Sequence, residues 1–417
     1  MLCRCVGDEG VGGDVEVSGN LVALGDITEF VRGINFKPDD VVAVGTLGTV
    51  ACMRTKNVQS SLDLSDVWAV HESFMRREDQ CLQEGDILVS SANSWNLVGK
   101  CSWIPELPYR ATFGGFVSVL RASSSKLDRR YLYRWFSSEY VQETLRSFGQ
   151  KTTNISNLNI SRCKRLQLPL PPLEEQRRIA AILDQAETLR TQRRAALAQL
   201  DSLTQSIFLD MFGDPVTNQK GWKLEKLGNL ASKMGSGSTP AGGDAAYKAE
   251  GISLIRSLNV HDGGFKYKNL AHIDEMQAAK LSNVQVVEDD VLLNITGASV
   301  ARVCRAPSDV LPARVNQHVM IIRPKASLNC IFLERMLLSE AMKRALLQIG
   351  GAGATREAIT KAQAEELHVP LPPLPLQQTF ATHIQATESL KATHRAALAQ
   401  LDALFASLQQ RAFAGEL

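Results

Sequence analysis

Apolar positions along the chain change period, and then the whole pattern repeats. Between about residues 21 and 168, short apolar runs are broken by glycines and turn residues, which predicts short strands with interspersed helices. Pro169, Pro171 and Pro172 then exclude helix, because proline lacks an N–H and restrains its predecessor. From Glu174 to about Met211 there is neither proline nor glycine, and Ala, Leu, Gln and Arg dominate. Ile179, Ile182, Ala186, Leu189, Ala196, Leu200, Leu203 and Ile207 fall on alternating steps of three and four, with Arg193 at the one polar break. That spacing predicts a long helix with an a/d seam, closed by Gly213 and Pro215. The plan then restarts. Residues from about 216 to 369 are mixed, prolines 370 to 375 stop any helix, and a second helical stretch runs from about Leu376 to Phe413.

The two halves share letters as well as periods. Arg194 to Asp201 recurs unchanged as Arg395 to Asp402, and Pro169 to Leu173 recurs as Pro370 to Leu374, both 201 residues on. One constant offset marks a tandem duplication of domain-sized copies. In the second helix the shifted register holds Phe380, His383, Thr387, Leu390, His394, Ala397, Leu401, Leu404 and Leu408. Neither stripe is expected to bury itself on a domain of this size, so the helices are expected to pair, through Ile182, Leu189, Leu200, Leu203, Leu390, Leu401 and Leu404. Ordinary amphipathic packing of each helix on its own domain is the competing reading.

Within the mixed segments, Leu24 to Ile27 answers Leu227 to Leu230, and the acidic turn before Ile87-Leu88-Val89-Ser90-Ser91 answers that before Val291 to Ile295. Further strands are predicted at Phe116 to Leu120 and Val319 to Ile322, each followed by a helix, at Tyr131 to Leu145 and Ile331 to Leu347. The fold class is therefore α+β, two similar domains with a long helix after each. The boundaries are a lead-in at 1–20, a first domain at 21–168, a first helical region at 169–215, a second domain at 216–369 and a second helical region at 370–417.

Composition adds limits. The net charge is only +2, so any nucleic-acid binding relies on local patches. The eight cysteines are scattered without a C-x-x-C pair, which points to buried thiols in a reduced, cytoplasmic setting and to no metal. No apolar run approaches the ~20 residues of a membrane span. There is no phosphate-binding loop, no dinucleotide fingerprint, no Asn-Pro-Pro-aromatic tetrapeptide and no H-E-x-x-H, so no catalytic residue is assigned. The Gly114-Gly115 and Gly350-Gly351 pairs read as turns, and His383 and His394 as packing or register residues on the seam.

Several predicted loops mix basic residues with Ser, Thr, Asn and Gln, types that bond phosphates and base edges. The candidates are Arg54, Lys56, Asn57, Ser91, Asn93, Asn96, Lys151 and Thr152 in the first copy. In the second they are Ser236, Ser238, Thr239, Arg256, Asn259, Asn294, Thr296, Arg314, Asn316 and Gln317. These loops differ between copies while the helices stay alike, so a common scaffold is expected to carry two different reading surfaces. A duplicated coiled-coil scaffold that binds proteins only is the alternative. An enzyme such as a nuclease ranks behind both, for want of a carboxylate or metal cluster.

Pro169 to Leu173 followed by Glu174-Glu175-Gln176-Arg177-Arg178-Ile179 resembles the entry to the central helix of the DNA-specificity subunit of type I restriction-modification systems. Leu24-Gly25-Asp26, Glu84 to Leu88, the Asn316-Gln317 pair before a strand and the closing Phe413 to Leu417 resemble that family too. The second helix entry departs from it, reading Pro375-Leu376-Gln377-Gln378-Thr379-Phe380 without the acidic start, a departure that bears on its first turn or on a partner contact. The resemblance implies two target-recognition domains separated by two long helices that pair as an antiparallel coiled coil. Each domain would read one half of a bipartite, asymmetric site in double-stranded DNA. It implies a non-catalytic chain whose partners are two methyltransferase subunits, which bring S-adenosylmethionine, and for restriction two restriction–translocase subunits.

Overall fold

The computed structural model describes residues 20–151, 155–351 and 357–417. Residues 1–19 of the expected lead-in, and Thr152, lie outside the described residues. The chain divides into two compact units, Met1–Gln192 with Ala397–Leu417 and Arg193–Ala396.

The first unit is built on a four-stranded antiparallel sheet in the order Thr28–Arg32, Val117–Ala122, Ile87–Ser90, Cys101–Trp103. A second sheet runs Trp68–His71, Thr49–Met53, Ala111–Phe113, its last pair parallel. Strand Ile87–Ser90 is buried along its whole length because both its faces are covered. Side chains alternate across a strand, so Ile87 and Val89 meet the helical layer with Tyr131, Phe136 and Leu183, while Leu88 meets Met53 and Phe113 of the second sheet.

The second unit repeats this plan. Its main sheet runs Ala231–Ser236, Val319–Pro324, Val291–Asn294, Val303–Arg305, all antiparallel. Its second sheet runs Ala271–Ile273, Ile252–Ile255, Ala313–Val315, Gln285–Val286, with the middle pair parallel. Val291 and Leu293 face Phe332, Phe208 and Phe380, while Leu292 faces Leu254 and Val315. The duplication therefore extends from letters to strand order.

The acidic turns have a buried role in both units. Asp86 pairs with Arg121 at 2.6 Å and Asp290 with Arg323 at 2.8 Å, each aspartate accepting a backbone N–H of its own turn as well. Leu24–Ile27 and Leu227–Leu230 are single helical turns. A Cβ on Gly25 would lie 2.9 Å from Cβ of Lys164, and one on Gly228 3.0 Å from Cβ of Glu365, so each glycine admits a close approach that a side chain would block.

Two local expectations are corrected. The helices expected at Tyr131 to Leu145 and Ile331 to Leu347 are each broken in two, as Arg129–Phe136 with Glu139–Ser147 and Cys330–Leu338 with Glu340–Gly351. Ser138 and Ser339, 201 positions apart, make the break. Each leaves the helical conformation and donates its hydroxyl back to a carbonyl three residues earlier, at 2.7 Å. Gly350 and Gly351 lie within the helix Glu340–Gly351 instead of forming a separate turn.

The long helices are Leu173–Phe212, 40 residues, and Leu374–Ala414, 41 residues. Each contributes one part to each unit, and within each unit the two parts pair antiparallel. In the first unit Arg178 donates to the Leu417 carbonyl while Arg190 bonds Asp402 at 2.6 Å. In the second, Phe208 packs on Phe380 with centroids 5.6 Å apart while Lys391 bonds Asp201 at 2.8 Å.

The predicted seam is half right. Ile179 and Ala186 are buried, and Leu200, Ile207 and Leu401 are half-buried. The alternate positions sit one residue further on. Leu183, Arg190 and Thr204 face inward in place of Ile182, Leu189 and Leu203, and Ile384, Lys391 and Phe405 in place of His383, Leu390 and Leu404. Ile182 is half-buried and His383 is exposed. Leu189, Leu203, Leu390 and Leu404 are 44, 46, 46 and 50% exposed, so they do not form the helix-pair interface. The cause is polar seam residues. Arg190 is held by Glu187 and Asp402 with its guanidinium 4.3 Å over the Phe405 ring, and Lys391 is held by Glu388, Asp201 and Thr204.

Candidate nucleic-acid interface

Many of the polar loop residues hold the fold and do not face outward. Asn57 and Asn259 are fully buried at equivalent turns. Each accepts the backbone N–H three residues earlier, at 2.7 and 3.0 Å, and donates its amide to carbonyls across the loop. The arginines that open those turns stack on aromatic rings, Arg54 3.7 Å above Trp68 and Arg256 4.9 Å above Tyr247. Lys56 is exposed but pairs with Asp66 at 2.6 Å. Lys56 first, with Arg54, holds the Asp66 carboxyl below the usual carboxylate range. Asn294 is buried and donates to the Ser257 carbonyl, and buried Asn316 accepts from the His318 N–H. Buried Arg314 donates to the Ala278 and Ala313 carbonyls, and burial lowers its pKa. Arg54, Asn57, Arg256, Asn259, Asn294, Arg314 and Asn316 are therefore corrected from surface readers to parts of the scaffold.

Three of the remaining candidates of the second unit, Thr239, Thr296 and Gln317, do converge. Thr296 and His318 line one open hollow, and Gln317 and Thr239 are tied to His318 by a chain of hydrogen bonds, while Ser236 and Ser238 are not among the residues that line it. Its walls are Ser257, Leu258, Thr296, Arg302, His318 and the turn Gly297–Ser299, and it encloses about 400 Å³. A relay of hydrogen bonds fixes its rim. The Thr239 hydroxyl donates to Gln317 Oε1 at 2.5 Å, which turns the amide nitrogen toward His318 Nε2 at 3.2 Å. An amide N–H donates, so Nε2 accepts, and the ring proton sits on Nδ1 against Thr296 Oγ1 at 2.5 Å. The relay itself does not use the second Gln317 N–H or the Thr296 hydroxyl proton, so both are donors left over.

In the first unit the corresponding loop is Ser91 to Gly99. Ala92–Asn93 pairs with Ser156 and Asn157, the half-buried Asn93 amide donates to Ser90 Oγ at 3.1 Å, and exposed Asn96 accepts from Ser94 at 2.7 Å. Trp95 and Phe116, 50 and 64% exposed, stand at this loop, with Ser91 and Ala92 both bonded to the Phe116 carbonyl. Lys151 ends strand Gly149–Lys151, and its side chain is not among those described.

Sequence reading passed over Arg302, His318 and Phe116. The missed signal is a shared hairpin. Ser90 N–H bonds the Lys100 carbonyl and Gly99 N–H the Ser90 carbonyl. Asn294 N–H bonds the Arg302 carbonyl and Ala301 N–H the Asn294 carbonyl. Lys100 and Arg302 thus occupy one structural position. Lys100 Nζ is tied to Gln59 Oε1 at 2.5 Å, while Arg302 lines the hollow and has no ion pair among the described residues. Among the described residues no cluster of His, Cys, Asp or Glu is placed to hold a metal, and no described helix is long and apolar enough to cross a membrane.

The family model for the type I restriction modification DNA specificity domain matches residues 20–199 and again 219–403. The chain belongs to this family. Similar relatives include the type I restriction enzyme EcoKI specificity subunit of Escherichia coli K12, 19% identical over 95% of this chain and 89% of that subunit. The StySPI specificity subunit of Salmonella potsdam is 22% identical over 94% of this chain and 87% of its own length. Among solved structures, the type I restriction-modification S subunit from M. genitalium superposes with a TM-score of 0.60 at 14% identity, covering 97% of this chain and 98% of that one. A chain from a study of complex assembly and conformational transition of the type I R-M system gives 0.55 at 17% identity, over 96 and 98%. These structures share the fold of this member of the specificity family.

Proposed function

We propose that the chain reads a bipartite, asymmetric site in double-stranded DNA, one half through the loops of each unit, and recruits the subunits that carry out chemistry. The observation that supports this reading is the contrast between copies. Sheet order, buried asparagine turns and helix entries are repeated in both copies. The outward surfaces differ, with Trp95 and Phe116 on one and the Thr239–Gln317–His318–Thr296 relay on the other. Repeated scaffold with divergent donors and acceptors is what two different half-sites require.

Two methyltransferase subunits, bringing S-adenosylmethionine, are the partners this reading assigns, joined for restriction by two restriction–translocase subunits. The exposed leucines that the seam leaves over, Leu189 with Leu390 and Leu203 with Leu404, recur at the 201-residue offset and supply two like docking stripes.

The test is base-resolution mapping of methylated adenines in cells that express the chain with the methyltransferase encoded beside it. A split motif with a fixed gap supports the reading. No new motif, from a methyltransferase active with another specificity subunit, returns the chain to a scaffold without DNA specificity.

A further inference from the structure

We propose that Arg302 is a specificity-determining residue that reads the major-groove edge of a guanine in the half-site of the second unit. This rests on the DNA reading above. Three observations carry it. Arg302 lines the hollow and is half-buried, and among the described residues it lacks the ion pair that most half-buried arginines have. It follows Ala301, a buried alanine held at φ +65°, a backbone region that costs a non-glycine residue energy and here sets where the next side chain emerges. Thr296 and His318 share the walls of the hollow with it, and Gln317 holds the His318 ring.

A rim of donors selects acceptors. Guanine presents two adjacent acceptors, O6 and N7, and the arginine fork matches both at once, whereas adenine and cytosine each present an amino donor that would meet donors. A phosphate would also accept from arginine, but a half-buried arginine in the wall of a hollow suits a base edge better than a convex backbone. The first unit bears Lys100 at the same position, tied to Gln59, so the two units differ here in both side chain and availability.

The full chain, co-expressed with its methyltransferase, would be compared with Arg302→Gln and Arg302→Lys by methylation mapping at every site that differs from the wild-type motif by one base. Arg302→Gln is expected to relax one guanine position of one half-site by about ten- to a hundred-fold and to leave the other half-site unchanged. Arg302→Lys keeps the charge and loses the fork, so it is expected to relax the same position. A uniform loss across all sites that Arg302→Lys restores would make Arg302 a phosphate contact and overturn the assignment. Unchanged specificity in both variants would overturn it too. A wild-type pair that yields no split motif defeats the DNA reading itself, before any variant is compared.

Discussion

Gln176 and Gln377, 201 positions apart and both fully buried, make the same three hydrogen bonds. Gln176 accepts from the Asp128 N–H at 2.8 Å and donates to the Lys126 and Pro171 carbonyls at 2.9 and 2.8 Å. Gln377 accepts from the Asn329 N–H at 2.8 Å and donates to the Ser327 and Pro372 carbonyls at 3.3 and 2.8 Å. Asp128 and Asn329 are the N-caps of the helices that follow the main sheet, so each glutamine ties a proline-rich entry to the cap of its own domain. Replacing Gln176 or Gln377 by Leu strands one N–H and two carbonyls, which is expected to cost roughly 3 kcal/mol at about 1–3 kcal/mol for each buried group left unpaired. Urea unfolding of each single variant measures it, and a change below about 1 kcal/mol in both would show that water replaces the amide.

The buried thiols make a second prediction. Burial pushes Cys52, Cys101, Cys163 and Cys304 from 9.0 up to about 12, and Cys330 up to about 11. A raised pKa keeps the thiol neutral, and the thiolate is the reactive form. In native protein at pH 8 these five sites are expected to alkylate far more slowly than after unfolding, read site by site by mass spectrometry. The sign for stability follows. The unfolded thiols ionise first, so their contribution is intact below about pH 9 and is lost as pH rises from there toward 12. Native alkylation as fast as in the unfolded chain would mean that these cores open readily.

The repeat and the long helices are legible because period and offset survive without any knowledge of contacts. Strands Ile87–Ser90 and Val291–Asn294 are legible for the same reason. The seam is not, because an apolarity count prefers Leu189 to Arg190 and Leu390 to Lys391, while ion pairs allow the polar residues to turn inward. The loops mislead in a different way. Asn57, Asn259, Asn294 and Asn316 have the chemistry of base readers, but the same donors and acceptors serve to hold turns, and only burial separates the two uses. The second helix entry misled by its letters. It lacks Glu174 and Glu175, yet Gln377 keeps the position of Gln176, and the helix starts at Leu374 with its clamp complete.

Lys391 and Asp201 predict an asymmetric response to charge changes. The lysine side chain is 3% exposed and the aspartate 68%. Removing the exposed partner, as Asp201→Ala, is expected to cost under about 1 kcal/mol, the ordinary worth of an exposed pair. Lys391→Met keeps the volume and removes the buried charge, so it is expected to be neutral or stabilising. Lys391→Glu sets a carboxylate beside Glu388 and Asp201 and is expected to cost about 3 kcal/mol or more. Chemical denaturation of the three variants ranks them. A costly Lys391→Met would mean that the ion pair, and not the packing of its stem, stabilises this seam.

The exposed leucines separate folding from partner binding. Leu183 and Ile384 lie in the seam and are fully buried, so Leu183→Ala or Ile384→Ala is expected to cost about 2–5 kcal/mol. Leu189 and Leu390 lie one position or more off the seam, and their replacement by Asp is expected to change stability by no more than about 0.5 kcal/mol. If these positions dock the methyltransferase, the Leu189→Asp, Leu390→Asp double variant weakens its binding by more than about tenfold, at about 1–2 kcal/mol of lost burial per leucine. Calorimetric titration of the folded variant with the methyltransferase subunit reads the affinity, and thermal unfolding reads the stability. Full affinity in a stable double variant would remove these stripes as the docking face and leave the recruitment of partners to other surfaces of the helices.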